Sequence, residues 1–164
     1  MKKIAAVLAL LSLFLSGCGR SGKILVEPVY LYYPKAEYDY GYADSVIDYE
    51  AMDGTGQMND LLRLLSEYFS GPIDEALTNP FPAGTALLSA DIQGDTVHLA
   101  LSEEASALPE HLFALGCTCL SMTCFELTEC ENVTVSSGQR LLTIPRDSWM
   151  LLDDYSTPKN TESK

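Results

Sequence analysis

The sequence predicts one α+β domain of two layers, a mostly antiparallel sheet with two amphipathic helices packed on it. Three observations predict it. Apolar residues recur at helical spacing in two stretches, 58–69 and 108–127. Period-2 alternation around Gln93-Gly94-Asp95 marks a hairpin between them. Short β-rich runs open and close the region, so the order reads β-(β)-α-β-β-α-β-β.

Each element has its own local cause. Pro28 to Pro34 is rich in tyrosine and aliphatic residues and is bracketed by prolines, which suits an edge strand. Val46 to Ala51 reads as a second short strand, closed by a turn at Asp53-Gly54-Thr55-Gly56. Met58 to Phe69 places Met58, Leu61, Leu62, Leu65, Tyr68 and Phe69 on one stripe, and Gly71-Pro72 ends that helix. Leu88, Ala90 and Ile92, then Val97, Leu99 and Leu101, alternate with polar or small residues, giving the hairpin one buried face. Ser102-Glu103-Glu104 reads as a turn. In the second helix, Leu108 to Leu127, the stripe Phe113, Gly116, Cys117, Leu120, Cys124 and Leu127 has small members that suit close packing on a sheet. Val133 to Val135 and Leu141 to Ile144 pair across a turn at Gly138.

The N-terminus carries a different signal. Lys2 and Lys3 precede a run, Ile4 to Leu15, that is apolar apart from Ser12. It is too short for a transmembrane helix, which needs about 20 residues, and it fits the apolar region of a secretory leader. Leu15-Ser16-Gly17-Cys18 follows, and resembles the lipobox of bacterial lipoproteins. Small residues admit the signal peptidase, the Cys18 thiol takes a diacylglycerol, and the amine freed by cleavage is a further acylation point. Two or three acyl chains anchor stably where one is marginal. The organisation expected is therefore a leader at 1–17, a lipidated N-terminus and tether at 18–27, a domain at 28–152 and a disordered polar tail at 153–164. The chain would sit on the extracytoplasmic face of the cell membrane, held by lipid.

The formal charge is −13, and loss of Lys2 and Lys3 with the leader makes the remainder more negative. That sign argues against nucleic acid and anionic lipid as partners, since both require clustered Lys and Arg. Composition and spacing point away from enzyme chemistry too. His98 falls at an outward hairpin position and His111 in the first turn of a helix, with no cue placing either beside a nucleophile. Glu103-Glu104 and Asp153-Asp154 are sequence neighbours whose side chains diverge. The acidic run from Asp39 to Asp53 lacks EF-hand spacing, and neither standard phosphate loop occurs. No cofactor and no metal are expected.

Two sets of residues remain as candidates. Tyr38, Tyr40 and Tyr42 extend a tyrosine-rich stretch beginning at Tyr30, and such a stripe stacks on sugars or forms a half-exposed face. Cys117, Cys119, Cys124 and Cys130 lie mostly on one helix without a CxxC pair. Cys117 and Cys124 stand roughly 10.5 Å apart along a helix by its rise per residue, beyond disulfide reach. Cys130 could pair with Cys119 or Cys124 if the helix ends near Leu127. Free buried thiols are the alternative.

Four segments together resemble the GerMN domain of sporulation and spore-germination proteins. They are Val29-Tyr30-Leu31-Tyr32-Tyr33-Pro34, the helix Leu61 to Pro72, the stretch Phe81 to Ala105 with its Pro82-Ala83-Gly84-Thr85 lead-in and hairpin, and Leu120 to Val135. A Pro-Gly-Val of the family is replaced here by Cys130-Glu131-Asn132. The resemblance spans about residues 28–145. It implies an extracytoplasmic lipoprotein with a fold similar to ring-building modules, an assembly role at the envelope as a homo-oligomer or with envelope proteins, and no catalytic residues. A rival expectation is a module that binds peptidoglycan glycan through the Tyr30 to Tyr42 stripe.

Overall fold

The computed structural model describes residues 28–37, 45–54 and 61–148. The expected leader, tether, Cys18, the Tyr38, Tyr40 and Tyr42 stripe, and the C-terminal tail lie outside them. The elements in order are β1 (Pro28–Pro34), β2 (Ile47–Asp53), α1 (Leu61–Phe69), β3 (Leu87–Gln93), β4 (Thr96–Leu101), a 3-10 turn (Glu103–Ala107), α2 (Glu110–Leu127), β5 (Asn132–Ser137) and β6 (Arg140–Pro145). This is the α+β order read from the sequence.

The strands divide into two sheets. β1 and β2 pair alone, and the other four run β3-β4-β5-β6. Every pairing is antiparallel except β4 with β5. A parallel pair needs a long crossover, and α2 supplies it. Alternation turns Val97, Leu99, Leu101, Val133 and Val135 toward the core. There α1 lies against β3, and α2 against β5 and β6. The opposite sheet face stays open, with Asp91, His98, Thr134 and Thr143 in cross-strand register. Thr134 and Thr143 share a hydroxyl hydrogen bond of 2.9 Å there.

The structure corrects several local expectations. On α1, Leu64 is buried and Leu62 is 47% exposed, so the inward stripe runs Leu61, Leu64, Leu65, Tyr68. A bulge between Leu87 and Ser89 shifts the register of β3. Leu87 therefore packs on the core while Leu88 and Ile92 are more than half exposed. The second helix begins at Glu110, with Pro109 extended before it, and the turn at Ser102-Glu103-Glu104 leads into a full 3-10 turn. α2 is also buried around more of its circumference than a single stripe requires. Phe113, Cys117, Leu120 and Cys124 belong to the core cluster, and Cys119, Ser121, Thr123 and Phe125 are buried as well. The extra burial comes from β1, which runs alongside this helix.

A candidate interaction surface

β1 has three environments, set by strand geometry. Val29, Leu31 and Tyr33 alternate inward. Tyr33 stacks on Tyr68 of α1, with centroids 4.6 Å apart and planes 6° from parallel, and its hydroxyl donates to Tyr68 O at 3.0 Å. Successive backbone amides also alternate between the two edges. Lys35 N donates toward β2, to Val46 O at 2.9 Å, whereas Tyr32 N points away and donates to Thr123 Oγ1 on α2 at 3.0 Å. Pro28 and Pro34 have the same parity as Tyr32, so their missing N–H groups cost the β1–β2 ladder nothing. The helix thus covers the outer edge of β1, and Thr123 Oγ1 in turn donates to Cys119 O at 3.1 Å.

The third environment is the outward face. Tyr30 and Tyr32 stand there with Tyr49, the cross-strand partner of Tyr32. Tyr30 meets Tyr49 edge-on at 5.0 Å, and Tyr32 lies tilted 5.8 Å from the same ring. These are the distances at which aromatic rings attract through their quadrupoles. Tyr49 is 53% exposed, so the ladder is an accessible aromatic surface. Tyr32 OH donates to Glu126 Oε1 on α2 at 3.1 Å. Burial first, and the Glu126 charge second, push the Tyr32 phenol up to about 12.

Acidic grooves flank the ladder. One, of about 370 Å³, opens beside Tyr49 and is lined by Glu37, Asp48, Asp74 and Glu75, with Lys35 as its one cation. Glu50 Oε2 accepts Ile73 N at 2.9 Å and Asp74 N at 3.2 Å, tying that wall to β2. The other groove, of about 590 Å³, contains Glu126 itself with Glu129, Glu131 and Arg146. The Arg146 guanidinium is engaged by the carbonyls of Phe125, Thr128 and Cys130.

The thiols are interior groups. Cys117, Cys119, Cys124 and Cys130 are all free and buried. Burial pushes Cys117 and Cys119 up to about 12, and Cys124 further still. His98 sits half-buried on the open sheet face, and His111 is exposed at the start of α2. Among the described residues no cluster of three or more His, Cys, Asp or Glu is placed to hold a metal. Nor is any described helix long and apolar enough to cross a membrane. Sequence reasoning passed over Tyr49 and Glu126. The alternation of β2 carried a signal for the first, but only the pairing register sets Tyr49 opposite Tyr32.

Among curated proteins, none matches the chain. A solved structure of a Clostridium perfringens chain, described as a "putative lipoprotein", is similar at 17% identity, over 74% of this chain and 89% of that one, with a TM-score of 0.41. The Germane family model, described as sporulation and spore germination, matches residues 29–137. With that span covering β1 through β5, the chain belongs to the Germane family of sporulation and spore germination.

Proposed function

We propose that the chain is a non-enzymatic contact module of the cell envelope, anchored by lipid on Cys18 at the extracytoplasmic face, that acts by protein assembly during sporulation or germination. The observation that carries this reading is the division of chemistry between inside and outside. Cys117, Cys119, Cys124 and Tyr68, the groups with the strongest upward shifts, are buried and kept neutral. What solvent reaches at Tyr30, Tyr32 and Tyr49 is an open aromatic surface rather than an enclosed reaction site. Rings on a rigid ladder suit recognition, because they offer large contact area at small entropy cost.

A photo-crosslinking residue at position 49 tests the assembly reading in intact cells. Discrete protein adducts are expected, and their loss together with normal sporulation in a deletion strain would end it. Mass spectrometry of the N-terminal peptide tests the anchor, with unmodified Cys18 as the outcome against it. A second reading, glycan binding, draws on the same tyrosines, which could stack on sugar rings. Retention on purified peptidoglycan, lost in Tyr49→Ala, would favour it.

A further inference from the structure

We propose that the outward face of β1–β2 is a docking strip for a cationic polypeptide segment, one carrying Arg or Lys at two points separated by the tyrosine ladder. This rests on the assembly reading and names the chemistry of the partner. Three observations converge. First, the rings of Tyr30, Tyr32 and Tyr49 form one ladder, with Tyr49 the most open of them. A guanidinium or ammonium is drawn to such ring faces, and the attraction grows as water is excluded.

Second, the ladder is bordered by negative charge on both sides. Tyr49 is itself a wall of the groove that holds Asp48, Asp74 and Glu75. Tyr32 is bonded to Glu126, a wall of the groove that holds Glu129 and Glu131. The two grooves are therefore ends of one strip, with Tyr49 and Tyr32 as the bridge between them. Third, the cations present do not neutralise it. Lys35 is the one cation against four carboxylates in the first groove. In the second, Arg146 spends its donors on three backbone carbonyls and its face on the Phe125 ring.

An extended basic segment satisfies both features at once. Its guanidinium groups fork onto carboxylates in the grooves, and its stem lies over the rings. A neutral glycan would use the rings and leave the carboxylates unanswered. A nucleic acid or an anionic membrane would be repelled.

The test uses the full chain in detergent micelles and measures fluorescence anisotropy of a labelled peptide of Arg-Gly repeats. A Gln-Gly peptide of equal length and a soluble peptidoglycan fragment are the comparison probes. The Arg peptide should bind. Tyr49→Ala should weaken it about 5-fold, the worth of one partly exposed cation–π contact. Asp48→Asn with Asp74→Asn should weaken it by a similar factor, as should raising salt from about 50 to 200 mM. Tyr49→Phe, which keeps the ring, should bind like wild type and serves as the folding control. Equal binding of the Arg and Gln peptides overturns the proposal, as does binding indifferent to Tyr49→Ala. Binding of the peptidoglycan fragment in place of the Arg peptide overturns it in favour of a glycan site. Photo-crosslinkers at Tyr49 and at the distant, exposed Leu141 separate the two levels. Adducts at Leu141 alone would sink this strip and keep assembly, while adducts at neither would sink the assembly reading.

Discussion

Arg146 lays its guanidinium over the ring of Phe125, with Cζ 4.7 Å from the ring centroid, while donating to Thr128 O and Cys130 O at 2.7 Å each. It thereby satisfies carbonyls just beyond the C-terminus of α2, where four lack intrahelical partners and where positive charge suits the helix dipole. Arg140 does the corresponding work at the other end, with Cζ 5.1 Å over Phe113 and Nη1 donating to Leu108 O at 2.7 Å. The two arginines bracket β6, so this edge strand grips both ends of the helix that forms the middle of the fold.

Arg146→Ala should therefore lower the unfolding free energy by about 2–3 kcal/mol, the range for losing charge-assisted hydrogen bonds to partly buried acceptors. Arg146→Lys should recover less than half of that, because one ammonium cannot fork to Thr128 and Cys130 while stacking on Phe125. Urea unfolding of the three proteins measures both. A lysine variant as stable as wild type would show that charge alone, rather than the planar fork, holds the helix end.

Gly116 marks a second close contact. A methyl group at its α-carbon would meet Phe81 Cε1 at 3.0 Å, Phe81 Cζ at 3.1 Å and Pro80 Cβ at 3.3 Å. Alanine in a helix is worth up to about 1 kcal/mol over glycine, but overpacking a rigid contact costs about 1–3 kcal/mol. Gly116→Ala should thus destabilise by about 1 kcal/mol net. In a Phe81→Leu background the clash disappears, and the same change should become neutral or favourable. A double-mutant cycle gives the sign of the coupling directly.

These contacts separate what periodicity reveals from what it hides. The hairpin around Gly94, the helix ending at Gly71-Pro72 and the strand Pro28–Pro34 were legible, because local alternation and backbone chemistry dictate them. The rotation of α1 was not, since Leu61, Leu62, Leu64 and Leu65 are all apolar and two overlapping stripes fit them. The bulge before Ser89 was hidden for a similar reason: Leu87 and Leu88 are identical in chemistry, and only pairing with β4 selects which faces inward. α2 looked like a helix on one sheet because nothing local says that β1 will lie along it. The tyrosine ladder needed two strands in register, so Tyr30 and Tyr32 were noticed while Tyr49 was not.

The buried thiols and phenols make stability fall in alkali. Thiols of the unfolded chain ionise near 9.0 and phenols near 10.0, whereas in the folded domain Cys117 and Cys119 are held up at about 12 and Cys124, Tyr33 and Tyr68 go higher, burial being the first cause throughout. Below pH 9 both states keep these protons and the groups contribute no slope. Above it the unfolded chain loses protons that the folded one retains, so unfolding becomes easier as pH rises toward 12. Urea midpoints should be flat from about pH 7 to 8.5 and fall steadily beyond. At pH 8 a thiol reagent should label the four domain cysteines far more slowly in the folded protein than in urea. Rapid labelling of Cys117 or Cys119 without unfolding would contradict their burial.

Tyr33 and Tyr68 share a stacked pair, yet deleting the same atom from each should have opposite effects. The Tyr33 hydroxyl donates to Tyr68 O at 3.0 Å. That carbonyl also accepts Gly71 N at 3.1 Å, so Tyr33→Phe removes one of two bonds and should cost about 1 kcal/mol. The Tyr68 hydroxyl is fully buried and has no hydrogen-bond partner, so the folded state carries its desolvation without return. Tyr68→Phe keeps the ring, the 4.6 Å stack on Tyr33 and the edge contact with Phe69, and discards only that unpaired oxygen. It should raise stability by about 1 kcal/mol. It should also flatten the alkaline slope above pH 10, since one phenol that resists ionisation in the fold is gone. Chemical unfolding at pH 7 and pH 10.5 reads both effects, and a Tyr68→Phe protein less stable than wild type at neutral pH would mean that the hydroxyl is bonded in solution.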